Sequence, residues 1–409
     1  MTWLDLPADH PFGLANLPYG VFSADDGPPR VGVRVGDRVL DLAPCAERAG
    51  MESYAVWSRP TLNDFLALGR PSWAAAREWL TEILTTPARR DCVEPHLIDL
   101  VDVRLHLPIE VADYVDFYAS EHHARNVGAI FRPDSDPLTP NWKHLPIGYH
   151  GRSGTVVLSG TEIVRPSGQR KPPAEPDPVF GPSVRLDIEA ELGFVVGGPT
   201  ELGSPVSLAD ADDHLFGVVL LNDWSARDLQ AWEYVPLGPF LGKSFATSIS
   251  PWVVPMDALR AARIPLPGQD DPVPLPYLRG ESTADGAGTA YGLDIGYEVE
   301  WNGTVVSRPP YAAMYWSPAQ MVAHMTVNGA TLRAGDLFGS GTISGPDPGQ
   351  RGSFLELSWN GERPVHLDDG SARTFLEDGD TVVLRATAPG PAGVRISLGE
   401  CVGRIVPAR

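Results

Sequence analysis

The run LFGVVLLNDW, residues 215–224, constrains the fold more than any other stretch of the chain. Its apolar side chains fall on consecutive positions, so they occupy both sides of a strand, and both sides must be buried. Layers of structure must therefore cover it above and below. Asp223 sits at its end, and a carboxylate there needs a partner, because an unpaired buried charge is very costly.

A second stretch raises the same issue. In RLDIEAELGF, 185–194, Asp187, Glu189 and Glu191 alternate with Ile188, Ala190 and Leu192. That period of two predicts one half-buried strand with three carboxylates on a single face. Same-face neighbours lie roughly 6.6–7 Å apart, so the acids repel one another unless something positive sits among them. The bland alternative is a row of solvated edge charges. Asp116, in DYVDFYASEHHARN (113–126), is expected just before a helix, where an N-cap or first-turn acid is the ordinary reading. Taken together, Asp116, Glu189, Glu191 and Asp223 are four hard oxygen donors suited to a Ca²⁺ or Mg²⁺ cage. All-oxygen ligation and few cysteines argue against zinc or copper.

Length and texture set the frame. The chain has 409 residues, room for two or three domains at ~150 residues each, or fewer if one is a large β fold. Its 42 Gly and 41 Pro favour short strands and shaped loops over a helix bundle. The first part, 1–110, is expected to be a small structural domain. There VGVRVGDRVLDL (31–42) alternates about a Gly36-Asp37 hairpin turn, and helices are predicted over 62–68 and 72–84. From 111 to 409 many strands are expected, including 292–301, 304–307, 353–359 and 381–387, with hairpin signals at Asn302-Gly303 and Asn360-Gly361. The Pro-rich segment 165–182 reads as an extended surface crossing and 265–288 as a long excursion.

Charge and motifs exclude other classes. Fifty-two acidic against 32 basic groups give a net charge of −20, the wrong sign for a nucleic-acid partner. Any anion site must then be built from local Arg and Lys. Cys45, Cys92 and Cys401 are too few and scattered for a disulfide framework or zinc site. The start MTWLDLPADHPFGL is no secretory signal, and no apolar run approaches the ~20 residues of a membrane span, so a cytoplasmic protein without a membrane partner is expected. GPFLGKS (238–244) has one residue too few between its glycines for a phosphate-binding loop, and ADADDH (209–214) lacks the Gly and Glu of a calcium loop.

Positive groups and a base complete the reading. Arg227, Gln230 and Tyr234 share a face if 227–234 is helical, and Lys243 lies in a Gly-flanked loop. They form either a surface pair with a solvated lysine or a cluster of donors for an oxyanion. His123 is either a packed histidine or a general base toward water. Glu356, expected on an inward strand face with Phe354 and Ser358, would orient it in the second case.

At this point whole segments become recognisable. DFYASEHHARNVGAIFR, NWKHLPIGYHGR, RLDIEAELGFVVG, NDWSARDLQAWEYVPLGPFLGKSFATSISPWVVPMDAL and GSGTISGP…GSFLELSWNG closely resemble the fumarylacetoacetate hydrolase family. The resemblance covers most of 111–403 and extends more weakly toward the N-terminus. It implies a mainly β (α+β) protein: a small N-terminal SH3-like β domain, then a large C-terminal mixed β-roll or sandwich that forms a homodimer. It implies hydrolysis of a C–C bond in a small diketo dicarboxylate, 4-fumarylacetoacetate, giving fumarate and acetoacetate, the last step of tyrosine and phenylalanine catabolism. The family's metal position falls on Asp116, Glu189, Glu191 and Asp223, with Ca²⁺ expected. A second or alternative Mg²⁺ would use Asp223, Lys243 through its backbone oxygen, and Thr247. The base falls on His123 and its orienting acid on Glu356, with oxyanion donors at Arg227, Gln230 and Lys243. Substrate contacts fall on Tyr118, Arg132, Gln230, Tyr234 and Thr342, with Tyr149 added. Two rivals stand beside this reading. One is a decarboxylase, hydratase or isomerase of the same superfamily; the other is a non-catalytic Ca²⁺-stabilised β protein that binds an acidic metabolite.

Overall fold

A computed structural model describes residues 3–50, 54–281, 283, 286 and 288–409. Near the N-terminus five short antiparallel strands form one sheet in the order β4-β3-β2-β1-β5: β1 Tyr19–Ala24, β2 Arg30–Val35, β3 Arg38–Asp41, β4 Leu97–Asp99 and β5 Val103–His106. The β2–β3 turn falls on Gly36-Asp37, where Val35 pairs with Arg38 and Gly36 takes the positive φ of 64° that glycine adopts without penalty. Helix α1, Arg70–Thr85, buries Trp73, Ala76, Leu80 and Ile83, the face its spacing predicts.

This first core is not closed on itself. Its apolar cluster continues into Phe216, Val219 and Leu221. Those side chains belong to a second, eight-stranded sheet built around β6 Tyr114–Phe117, β7 Ala190–Val196, β8 Leu215–Asp223, β9 Thr247–Ile249 and β10 Leu337–Gly339. Its path runs Gly148–His150, β6, β10, β7, β8, β9, Val156–Leu158, and Val254–Pro255 adds to β8. The opposite side of β8 presents Leu215, Val218 and Leu220 to the main core. Every residue of β8 is buried, as the unbroken apolar run requires.

The third layer is a five-stranded sheet of Thr304–Ser307, Gly296–Trp301, Thr381–Pro389, Arg395–Val406 and Glu162–Val164. Asn302-Gly303 makes the expected hairpin, with Trp301 opposite Thr304 and φ of 48° and 83° at the turn. The layers interlock at Trp224, the residue after Asp223. Its indole N–H donates to Ser248 Oγ at 2.9 Å, and its ring lies on the backbone of Gly403, where a Cβ would fall 2.2 Å from Cζ2.

Several local expectations change. Residues 353–359 are not a strand: Ser353 caps a one-turn helix over Phe354–Leu357. The Asn360-Gly361 pair follows that turn with positive φ and joins no hairpin. Residues 185–194 divide into Leu186–Asp187, paired with Ser225–Ala226, and β7, so Asp187 leaves the face shared by the other two acids. The predicted strand over 292–301 is two, Tyr291–Leu293 and Gly296–Trp301. Within 165–182, Ser167–Arg170 and Val179–Pro182 pair as a hairpin instead of crossing the surface singly. Asp116 lies inside β6, several residues before the helix. Part of the 265–288 excursion falls outside the described residues.

Because Gly403 is the seat for Trp224, Gly403→Ala should cost about 1–3 kcal/mol through overpacking. Urea unfolding would read this as a lower midpoint at unchanged slope, and an unchanged midpoint would refute the seat.

Candidate active site and metal centre

The site is built where β6, β7, β8 and β10 end together. Register brings the acids to one place: Asp116 is opposite Gly339 of β10, Glu191 is opposite Leu221 of β8, and Asp223 ends β8 beside Thr247 of β9. Asp116, Glu189, Glu191 and Asp223 each offer an oxygen, and these oxygens lie within 4.8 Å of one another. All four residues are buried. The edge-charge and helix-cap readings of these acids therefore fail.

Positive charge reaches only part of this cluster. Lys243 is buried, with Nζ donating to Glu189 Oε2 and, at 2.6 Å, to Asp223 Oδ2. Arg227, at the start of helix α3 (Arg227–Glu233), donates from Nε to Asp187 Oδ2 at 2.8 Å. Its Nη2 stands 2.8 Å from Glu189 Oε1, an ion contact out of line for a hydrogen bond. Burial alone would raise the pKa of Glu189, but Lys243, Arg227 and His123 together outweigh it and hold this carboxyl well below its usual range. Burial wins at Asp116 and Glu191, where neighbouring carboxylates add to it, and both are pushed well up. Asp223 is also raised, by burial that Lys243 only partly offsets.

Asp116 Oδ1 and Glu191 Oε1 are buried and have no hydrogen-bond partner. Beside them Gly339 leaves space: a Cβ there would lie 2.5 Å from Glu191 Oε2 and 2.9 Å from Asp116 Oδ1. Orphaned carboxylate oxygens around a kept gap, with hard donors only, fit a divalent cation. This cluster is the candidate metal site.

A histidine–carboxylate pair borders it. Ser120 caps helix α2 (Glu121–Phe131), its Oγ accepting from the His123 backbone N–H at 3.2 Å. His123 Nδ1 lies 2.7 Å from Glu356 Oε2, and Nε2 lies 3.9 Å from Glu189 Oε1. Glu356 further accepts from Asn126 Nδ2 (2.8 Å), Ser353 Oγ (2.8 Å) and Ser344 Oγ (3.0 Å). Burial pushes Glu356 up, but His123 and these donors outweigh it, so it stays ionised. An ionised carboxylate only accepts, so Nδ1 is the donor to Glu356, and Nε2 is the ring nitrogen turned toward the cluster.

The remaining predicted residues are placed as follows. The Tyr118 ring meets the His123 ring edge-on, with centroids 5.3 Å apart. Tyr149 OH donates to Asp223 Oδ2 at 3.3 Å, and Thr247 Oγ1 donates to Asp223 Oδ1 at 3.3 Å. Gln230 Oε1 accepts from Arg227 Nη1 at 3.3 Å. Thr342 is buried with an unpartnered hydroxyl, next to Gly341, whose N–H donates to Glu191 Oε2 at 3.1 Å. Arg132 and Tyr234 lie at the surface, outside the bonded network; Arg132 Nη2 donates to Pro137 O at 2.8 Å. Sequence reasoning missed Asn126, Ser344 and Ser353 around Glu356. It also left Asp187 without its role of holding Arg227, where Asp187 further accepts from the Phe354 and Leu355 N–H groups. The S-x-x-E spacing of Ser353 and Glu356 was the available signal, since it marks a helix start.

A layered β protein with four clustered carboxylates beside a histidine–glutamate pair has the donors of a metal-assisted hydrolytic site. The comparisons give the family. The fumarylacetoacetate hydrolase C-terminal model matches residues 113–406, and the fumarylacetoacetase N-terminal model matches residues 15–108. The chain thus belongs to the fumarylacetoacetate hydrolase family, and its fold class is the one its segments resemble. It is 45% identical over 424 residues to the fumarylacetoacetase of Homo sapiens, covering 100% of this chain and 99% of that one. Against the Arabidopsis thaliana fumarylacetoacetase the identity is again 45% over 424 residues, covering 100% and 98%. Among solved structures, a fumarylacetoacetate hydrolase from psychrophilic Exiguobacterium antarcticum matches with a TM-score of 0.55 at 17% identity. That alignment covers 96% of this chain and 100% of the other, and supports the fold alone.

Two outcomes follow for the metal site. Ca²⁺ at about 100 times its Kd should stabilise the chelator-treated protein by about 2.7 kcal/mol, seen as a rise in Tm. Asp116→Asn should abolish that rise yet raise the Tm of the metal-free protein, because it removes one repelling charge. A metal-free variant no more stable than wild type would refute unrelieved repulsion.

Proposed function

We propose that the protein hydrolyses 4-fumarylacetoacetate to fumarate and acetoacetate. The observation that carries this reading is the His123–Glu356 pair at 2.7 Å, with the free ring nitrogen directed at the carboxylate cluster. That pair supplies a general base for water, which a superfamily isomerase or decarboxylase does not require. Likeness to fumarylacetoacetases along the whole chain supports the substrate.

The chemistry follows from the residues. Water gives a proton to His123 Nε2 as its oxygen bonds to the fumaryl carbonyl carbon, and the carbonyl electrons move onto oxygen. Glu356 offsets the charge that appears on the imidazole. Arg227, Gln230 and Lys243 are the donors for the tetrahedral oxyanion, each worth about 2.7–4 kcal/mol of barrier where such donors have been removed. Arg227 and Lys243 are already anchored on carboxylates, so they are fixed in place before substrate arrives. When the oxyanion collapses, the bond to the neighbouring methylene carbon breaks, its electron pair leaves as an enolate, and the proton taken up by His123 Nε2 is returned to that carbon, completing acetoacetate and restoring the base. A cation held by Asp116, Glu189, Glu191 and Asp223 would supply Lewis-acid polarisation of the diketone oxygens. We assign Ca²⁺ to that position. Mg²⁺ is a second or alternative ion near Asp223, the Lys243 backbone oxygen and Thr247. Tyr118, Arg132, Tyr149, Tyr234 and Thr342 are the assigned substrate contacts.

The N-terminal 110 residues serve as a structural domain and residues 111–409 as the catalytic one, in a cytoplasmic homodimer. Exposed Trp232, Val235, Leu237 and Leu241 supply apolar surface for pairing of two copies. No helix among the described residues is long and apolar enough to cross a membrane.

Loss of diketone absorbance on adding fumarylacetoacetate tests the reading. His123→Ala should lower kcat about 10²–10⁴-fold, and Glu356→Gln should also reduce it. Full activity in His123→Ala would remove the base, and no turnover by metal-loaded wild type would remove the substrate.

A further inference from the structure

Below the cluster, on the Tyr149 and Lys243 side, lies a cavity of about 330 Å³. Tyr114, Tyr149, Arg152, Phe240 and Lys243 line it, and two of these, Tyr149 and Lys243, also bond to Asp223 of the cluster. Lys243 is committed to Glu189 and Asp223, and His150 stands 3.5 Å from Asp113 Oδ2. Arg152 is different. Its guanidinium makes no ion pair among the described residues and lies over the Phe240 ring, 5.9 Å from the centroid. Gly151 fixes the loop that carries it, because a Cβ there would lie 2.3 Å from the Tyr114 ring. The cavity is thus lined by one permanent cation without an ion pair among the described residues, Arg152, and by Tyr149, Ser153 and Ser244.

A diketo diacid carries a carboxylate at each end, and a chain of net charge −20 offers no general attraction for either. Arg132 lies by the His123 and Tyr118 flank, where its charge acts on the Tyr118 hydroxyl. It is also free of ion pairs among the described residues. One free arginine on each flank of a cation-centred site matches a ligand charged at both ends and chelating at its middle.

We propose that the cavity is the seat of the substrate carboxylate remote from Arg132, and that Arg152 is its counter-ion and a determinant of diacid specificity. The proposal rests on the hydrolase reading above. It predicts that the two products, each keeping one of the original carboxylates, compete from different flanks.

The test is steady-state turnover of fumarylacetoacetate by the metal-loaded full chain, with fumarate and acetoacetate as inhibitors. Arg152→Gln should raise KM at least tenfold with kcat within threefold, and weaken inhibition by one product only. Arg132→Gln should weaken inhibition by the other product. Arg152→Lys, which keeps the charge, should recover most of the KM. Unchanged KM and unchanged inhibition in Arg152→Gln, with active wild type, would overturn the subsite and leave the hydrolase reading intact. Equal weakening by both products, or a loss confined to kcat, would also overturn it. Absence of turnover in wild type would defeat the hydrolase reading itself.

Discussion

Glu189 is the point on which the site depends. It is buried between Lys243 and Arg227, and through them it is tied to Asp223 and Asp187. Opposite charges a few ångströms apart attract strongly once water is excluded, but each also loses its hydration, so such clusters hold only when geometry and remaining hydrogen bonds are met. Here they are met at Glu189, Asp187 and Asp223 and left unmet at Asp116 and Glu191. Two cations cannot balance Asp116, Asp187, Glu189, Glu191 and Asp223. Burial and neighbouring carboxylates disfavour ionisation of Asp116 and Glu191 beside Gly339, and a divalent ion there would favour it.

The same arrangement separates two kinds of acid. Glu356 is as buried as Glu191, but accepts from His123, Asn126, Ser344 and Ser353. It is satisfied by dipoles and one imidazole, and keeps its charge without a metal. Glu191 accepts from the Gly341 N–H, and its other oxygen is left open. Two glutamates with equal burial thus serve different purposes because their donors differ. Rigid elements hold both: β7 carries Glu191, and a capped helical turn carries Glu356.

Much of this was legible residue by residue. The unbroken apolar run of β8 announced two buried faces, and the layers that cover it are the N-terminal core and the main core. Asp223, at the end of such a strand, demanded a partner and has Lys243. The alternation at 353–359 misled, since Phe354, Leu355 and Glu356 are all buried on one short helical turn, and the Ser353 cap outweighed a period-two pattern. The acid row at 185–194 misled in a different way. A break after Asp187 sends that residue to Arg227, while Glu189 and Glu191 stay with the cluster.

The order of residues alone determined that 215–223 is a strand buried on both faces, that Asp223 at its end needs a partner, and which long motifs mark the family, because these depend on local periodicity, burial cost and identity of runs. It did not determine that residues from β6, β7, β8 and β10 meet, nor that Glu356 finds His123 across 233 positions. Those pairings are fixed by strand register and layer packing. They bring together groups far apart in the chain, and no local pattern records which distant partner will cancel a given charge.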